Sequence, residues 1–172
     1  MRYYENPEYF CENRLPQRAY YIPDNSSISL NGEWDFCTNK TGKIPTVFSK
    51  KITVPFPPQS VLSGVNRLIP DSDYLIYKKE FTLPDGFNKG RILLNFGAVD
   101  QIRTVFVNEQ KVGYHEGGYE PFTLDITEFL QEKNTILVVC KDNLDEQKFP
   151  YGKQKHNRGG MWYTPVSGIW AT

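Results

Sequence analysis

A chain of 172 residues and 19.9 kDa is long enough for one domain that buries most of its apolar surface without disulfide or metal staples. Twenty Lys and Arg against twenty Asp and Glu leave no net charge, so no overall field gathers phosphates or anionic lipids, and nucleic acid and membrane surfaces are disfavoured as partners. Aromatic residues at 15%, with 13 Gly and 12 Pro, favour short strands and many turns over long helices.

The first 29 residues are polar, Pro-bearing and aperiodic. They read as an extended segment that packs on a domain spanning residues 30–172. Asn31-Gly32-Glu33 is a turn signal that leads into a strand at Trp34-Asp35-Phe36, with both aromatics on one face. Ile52-Thr53-Val54 is the next strand. Pro55-Phe56-Pro57-Pro58 lacks three amide donors and is expected to be an extended loop. From Tyr74 a period of two sets in. Tyr77, Phe81 and Leu83 alternate with Lys78, Glu80 and Thr82, which predicts a strand with one wet face. Ile92, Leu94 and Phe96 share a face of another strand. Ile102 to Val107 follows, and Asn108-Glu109-Gln110 before Lys111 to Tyr114 reads as a hairpin with a loop of about two to four residues.

Gly117-Gly118 is a turn, Pro121 to Leu124 is extended, and residues 125–130 predict one helical turn capped by Asp125 or Thr127. Thr135 to Cys140 is the most apolar run and predicts a central strand covered on both faces. Residues 142–160 form a polar loop longer than the roughly 12–15 residues usual in a compact domain, a length that points to function or disorder. An alternating strand begins at Ile169. Short strands at this spacing, with at most one helical turn, predict an all-β antiparallel sandwich of the jelly-roll type.

Several chemistries lack their residues. Cys11, Cys37 and Cys140 are far apart, and only His115 and His156 accompany them. A zinc site or a His-rich small-barrel metal enzyme therefore has no ligand set, and no metal or cofactor is expected. The thiols read as reduced, with Cys140 in the core, which together with the absence of a leader sequence fits the cytoplasm. Asp100, Glu116, Glu120, Asp125, Asp142 and Asp145 could supply the paired carboxylates of a glycosidase, but nothing in their spacing selects a pair. Neither histidine frames a serine triad. Sugar rings pack their apolar faces on aromatics, and two groups offer such a platform: Tyr114, Tyr119 and Phe122, and Tyr151, Trp162 and Tyr163. Beside the second group, Lys153, Gln154, His156, Asn157 and Arg158 form the densest run of hydrogen-bonding side chains.

The run LLNFGAVDQIRTVFVNEQKVGYHEGGYEPFTLDIT from Leu93 to Thr127, and YGKQKHNRGGMWYTPVSGIW from Tyr151 to Trp170, resemble the N-terminal domain of family 2 glycoside hydrolases, the β-galactosidase, β-glucuronidase and β-mannosidase relatives. Leu30 to Trp34 and Val54 to Pro58 resemble the opening of the same domain. The resemblance implies a galactose-binding-like jelly roll, the sugar-binding domain of a retaining β-glycosidase acting on a β-galactoside or β-glucuronide. It implies a following immunoglobulin-like domain, a catalytic barrel that carries both glutamates, and a parent that can be homo-oligomeric. The 172-residue chain would then be inactive alone. By order in the chain, residues 142–160 are the loop that reaches the substrate subsite, with Lys153, Gln154 and His156 as substrate-binding candidates. Gln59 follows the Val54-Pro55 dipeptide where some relatives place a contacting Asn. Lys153 stands where some β-galactosidases have a sodium-binding aspartate, so no metal site is carried over. A stand-alone carbohydrate-binding module is the alternative reading.

Overall fold

Residues 27–87, 89–144 and 148–171 are described by a computed structural model. The expected N-terminal segment lies almost wholly outside the described residues, as does Cys11. The strands are β1 Gly32–Asn39, β2 Lys50–Val54, β3 Tyr74–Phe81, β4 Leu93–Phe96, β5 Ala98–Asp100, β6 Ile102–Val107, β7 Gln110–Glu116, β8 Phe122–Asp125, β9 Asn134–Lys141 and β10 Gly168–Ala171. Among the described residues, 3-10 turns occur at Val61–Ser63 and Thr127–Phe129.

Six strands form one antiparallel sheet in the order β2-β1-β3-β9-β6-β7. The ribbons β4-β8 and β5-β10 contribute the opposing face. The fold is an antiparallel jelly-roll sandwich, and its core follows from period-two patterning. Trp34 and Phe36 of β1, Leu75 and Tyr77 of β3, Val105 and Val107 of β6, and Ile136 and Val138 of β9 pack against Leu94 and Phe96 of β4, Phe122 and Leu124 of β8, Val99 of β5 and Ile169 of β10. A buried aliphatic or aromatic side chain of this kind contributes about 1.5–3 kcal/mol.

Two strands differ from the simple alternation. In β3, Leu75, Ile76 and Tyr77 are all buried, so the wet face begins only at Lys78. The reason is position: β3 lies between β1 and β9 at the centre of the sheet, and its buried Ile76 stands beside Val139 of β9. β9 is the central strand expected, with Ile136, Leu137, Val138 and Cys140 buried. Burial raises the Cys140 thiol far above its ordinary range. β5 is the strand the sequence hid, three residues between Gly97 and Gln101 that pair with β10.

Residues 55–63 are not extended. Phe56 N–H donates to Thr53 O at 3.1 Å and Ser60 N–H to Pro57 O at 2.8 Å, so the prolines direct a chain of tight turns. The expected helical turn is present, but Thr127 lies inside it. Asp125 Oδ1 accepts from Thr127 N–H at 3.0 Å and from its hydroxyl at 2.5 Å. These bonds, with Arg91, hold the Asp125 carboxyl down to about 2.

The β6-β7 hairpin turns through Asn108 and Glu109 with φ of 49° and 68°, the left-handed pair that a two-residue type I′ turn requires. Asn tolerates this conformation and Glu does not gain from it. Glu109→Gly is expected to raise stability by up to about 1 kcal/mol, because the relieved strain exceeds the added entropy of the unfolded chain. Denaturant titration showing a lowered midpoint would contradict this.

Candidate functional site

The site is organised from a buried cation. Period two turns Arg103 onto the inner face of β6 beside Val105 and Val107, where it is 0% exposed. Its guanidinium Nη1 donates to Val99 O and Gln101 O, each at 2.8 Å, and to Gly117 O. The guanidinium carbon lies 4.4 Å from the centre of the Phe122 ring. Phe122 also stacks on Phe96 and His115, at 4.8 and 4.9 Å. At 1% exposure, Phe122 belongs to the core and offers no platform to a ligand. Burial lowers the Arg103 guanidinium to about 9, so it stays protonated at neutral pH.

Arg103 thereby fixes the turn that carries Gly117, Gly118 and Tyr119. Gly118 is confined: a Cβ there would stand 2.2 Å from Asp100 Oδ1. Its carbonyl accepts from Trp170 Nε1 at 2.9 Å, and the Tyr119 ring meets Trp170 edge-on at 5.7 Å. Tyr119 in turn holds the long loop, since Gln154 Nε2 donates to Tyr119 Oη at 2.9 Å while Gln154 Oε1 accepts from Val166 N–H at 2.6 Å. Burial pushes the Tyr119 phenol up, with Asp100 adding to the rise.

The four candidate residues have different settings. Gln154 is 9% exposed and both ends of its amide are bonded within the domain. His156 Nε2 lies 2.5 Å from Asp71 Oδ1, joining the loop to the turn before β3. Gln59 is also tied inward, donating from Nε2 to Ser167 Oγ at 2.8 Å and accepting from Ser167 N–H at 3.3 Å. Lys153 is exposed, its Nζ 3.7 Å from Met161 Sδ. A parallel bridge links Gln154 to Tyr163, made by Tyr163 N–H to Lys153 O at 2.6 Å and Lys155 N–H to Tyr163 O at 3.2 Å. Lys155 Nζ sits 4.1 Å from the centre of the Trp162 indole. Tyr163 and Met161 are 66% and 69% exposed.

Of the other aromatics, Tyr114 donates its hydroxyl to Glu116 Oε1 and takes Lys111 Nζ at 5.6 Å from its ring. The outward aromatic surface of this region is thus Tyr163 and Tyr119, both exposed, with Trp162 half-buried. The role of Arg103 had no signal in the sequence beyond a charged residue between Ile102 and Thr104. Among the described residues no group of three or more His, Cys, Asp or Glu could hold a metal ion, and no helix is long and apolar enough to cross a membrane. A surface pocket of about 160 Å³ lined by Phe36, Cys37, Thr38, Ser49, Lys50, Val65, Arg67 and Ile69 shares no residue with the loop.

Asp100 is a second buried titratable group. Burial raises its carboxyl to about 7, against a partial lowering by Arg103. A carboxyl raised in the folded state destabilises the fold as it ionises. Its effect is absent below about pH 4, the unfolded value, and complete above about pH 7. Asp100→Asn is expected to flatten the stability profile across that window. It should raise stability at pH 8 by on the order of 2 kcal/mol, less than the shift alone would give because the site relaxes. Thermal melts from pH 4 to 8 with an unchanged slope would refute this. Gln154→Ala should cost about 1–3 kcal/mol by stranding the Val166 amide. It should also accelerate hydrogen exchange at Val166 and Tyr163 while leaving β9 protected, and unchanged exchange at both would contradict the pinning role.

The family model described as "Glycosyl hydrolases family 2, sugar binding domain" matches residues 22–169. A β-galactosidase from Thermoanaerobacter pseudethanolicus is 32% identical over 76 residues, covering 43% of this chain and 10% of the relative. A β-glucuronidase from Bacteroides fragilis is 36% identical over 64 residues, covering 36% and 9%. The chain thus spans about a tenth of the length of these curated relatives. A solved β-glucuronidase from Ruminococcus gnavus in complex with C6-substituted uronic isofagomine superposes with a TM-score of 0.65 at 23% identity, over 87% of this chain and 29% of that one. At this identity the superposition speaks for the fold.

Proposed function

Since the chain belongs to glycosyl hydrolase family 2, as its sugar-binding domain, we propose that it is the non-catalytic N-terminal module of a retaining β-glycosidase and lends residues 148–164 to the substrate subsite. The observation that carries this reading is the mounting of that loop. Gln154 pins it to Tyr119 and Val166, His156 to Asp71, and the exposed Lys153 and Tyr163 are left facing outward on a fixed base. A subsite contact needs side chains held in place before the sugar arrives, because ordering them on binding would reduce affinity.

Retaining hydrolysis needs two carboxyl groups about 5–5.5 Å apart, one as nucleophile and one as acid and base. Asp100, the buried carboxyl nearest the turn, is covered by Gly118 and inaccessible to a glycosidic bond. In this reading the reacting pair comes from a barrel domain elsewhere in the parent polypeptide, with an immunoglobulin-like domain between them. The parent's substrates are β-galactosides or β-glucuronides. Lys153 donates to a sugar hydroxyl or carboxylate, and Tyr163 offers an apolar face. Gln154, His156 and Gln59 act from behind by holding the surface in place.

The purified 172-residue chain is expected to release no chromophore from aryl β-galactosides or β-glucuronides. It should bind galactose or glucuronate no more tightly than about 1 mM by calorimetry, about 4 kcal/mol, because only part of the subsite is present. Turnover would overturn the non-catalytic assignment. A micromolar constant would favour a stand-alone carbohydrate-binding module.

A further inference from the structure

The sandwich opens at one end of β1. β2 begins at Lys50, directly across from Phe36, while β1 runs on through Cys37, Thr38 and Asn39 paired with β3. The two strands part there, and residues 65–69 border the opening, which is the pocket of about 160 Å³ described above. Cross-strand partners lie on one face of a sheet, and residues two apart on a strand share that face. Phe36 belongs to the core, so Thr38 and Lys50 stand on the inner face with it. The inner-face neighbours Trp34, Ile52 and Val54 are buried and apolar. Lys50 therefore puts an ammonium group in a row that is otherwise hydrophobic.

The pocket combines an apolar floor with a charged rim. Phe36 and Ile69 are buried and Val65 is half-buried, whereas Lys50 and Arg67, which reach it from different elements, are exposed. No Asp or Glu lines it. The acids nearby are engaged elsewhere: Glu33 and Asp35 pair with Lys51 at 3.3 and 3.0 Å, and Asp73 with Arg67 at 3.6 Å. Lys50 has no carboxylate partner among the described residues. Two cations against the single carboxylate of Asp73 leave one positive charge at the rim. That balance calls for a monoanion.

We propose that this pocket binds a small carboxylic acid with a compact apolar body, an aryl or branched acyl carboxylate. The body rests on Phe36, Val65 and Ile69, and the carboxylate lies between Lys50 and Arg67. The volume falls below the roughly 300–1,000 Å³ of pockets that enclose drug-sized ligands, so an oligosaccharide does not fit. The pocket shares no residue with the loop of residues 148–164, and its ligand is independent of whether that loop meets sugar. Because both cations are exposed, binding is weak, about 1 mM, and falls with salt.

The test is an NMR titration of the 15N-labelled 172-residue chain with three probes: benzoate, its neutral isostere benzamide, and acetate, which keeps the charge and lacks the body. At about 20 mM salt benzoate should shift the amides of Thr38, Lys50 and Arg67 and bind about tenfold more tightly than benzamide or acetate, with a smaller margin at about 150 mM. Lys50→Gln/Arg67→Gln should bring benzoate down to the affinity of benzamide, and Lys50→Arg/Arg67→Lys should keep the margin. Unchanged amide shifts along β9 check that each variant is folded, and the three probes on the unaltered chain decide the matter even where a variant is not. Equal binding of benzoate and benzamide, or of benzoate and acetate, would overturn the proposal. So would the absence of any shift at the pocket amides. The remote pair Lys89→Gln/Lys133→Gln should leave binding unchanged, and an equal loss there would reduce the effect to general electrostatics and sink the site.

Discussion

A guanidinium sealed inside a β-sandwich needs oxygen partners, and Arg103 obtains its hydrogen bonds from the backbone through Nη1 alone, with Nε and Nη2 left without a hydrogen-bond partner among the described residues. One nitrogen binds the carbonyls of Val99, Gln101 and Gly117, and the flat face of the group rests on Phe122. Removing a charge from water costs several kcal/mol, which the domain recovers only where those carbonyls converge. The constraint runs outward. The carbonyl of Gly117 sets the turn, Gly118 receives Trp170, and Tyr119 receives Gln154. The loop surface is therefore the last member of a hydrogen-bonded series that starts in the core. This arrangement lets a long polar loop hold a shape although much of it is exposed.

The sandwich was legible because each strand repeats a short rule. Trp34 with Phe36, Ile92 with Leu94 and Phe96, and the apolar run into Cys140 each mark one face or both. The rule fails where neighbours, and not the strand itself, decide burial. Leu75, Ile76 and Tyr77 are covered on both sides because β1 and β9 flank them, which no local pattern encodes. β5 is three residues long and acquires its identity from β10, about 70 positions later. The proline run read as extended because proline forbids a ladder, but proline equally favours the successive turns that occur there.

The site was legible in outline and obscure in its division of labour. A run of Lys, Gln, His, Asn and Arg beside Tyr, Trp and Met stands out in composition, and the family resemblance pointed to the same stretch. Sequence cannot say which of adjacent polar residues faces inward. The answer depends on a single bridge to Tyr163, which turns Gln154 to the interior and its two lysine neighbours to the exterior. Gln59 and His156 likewise owe their settings to Ser167 and Asp71, residues 108 and 85 positions away. Phe122 looked like a platform because it follows Tyr119 closely. Its position on the inner face of β8 places it under Arg103 instead.

The pairing of β3 with β9 joins residues 74–81 to residues 134–141, and contacts this distant in sequence slow folding because a large loop must close before any of them forms. During synthesis at roughly 5–20 residues per second, β3 emerges several seconds before the strand that completes it. Through that interval Leu75, Ile76 and Tyr77 present an apolar edge with open backbone groups, the kind of surface on which nascent chains associate. The central position that buries β3 in the finished domain thus leaves it paired on one side only, with β1, until β9 has been made.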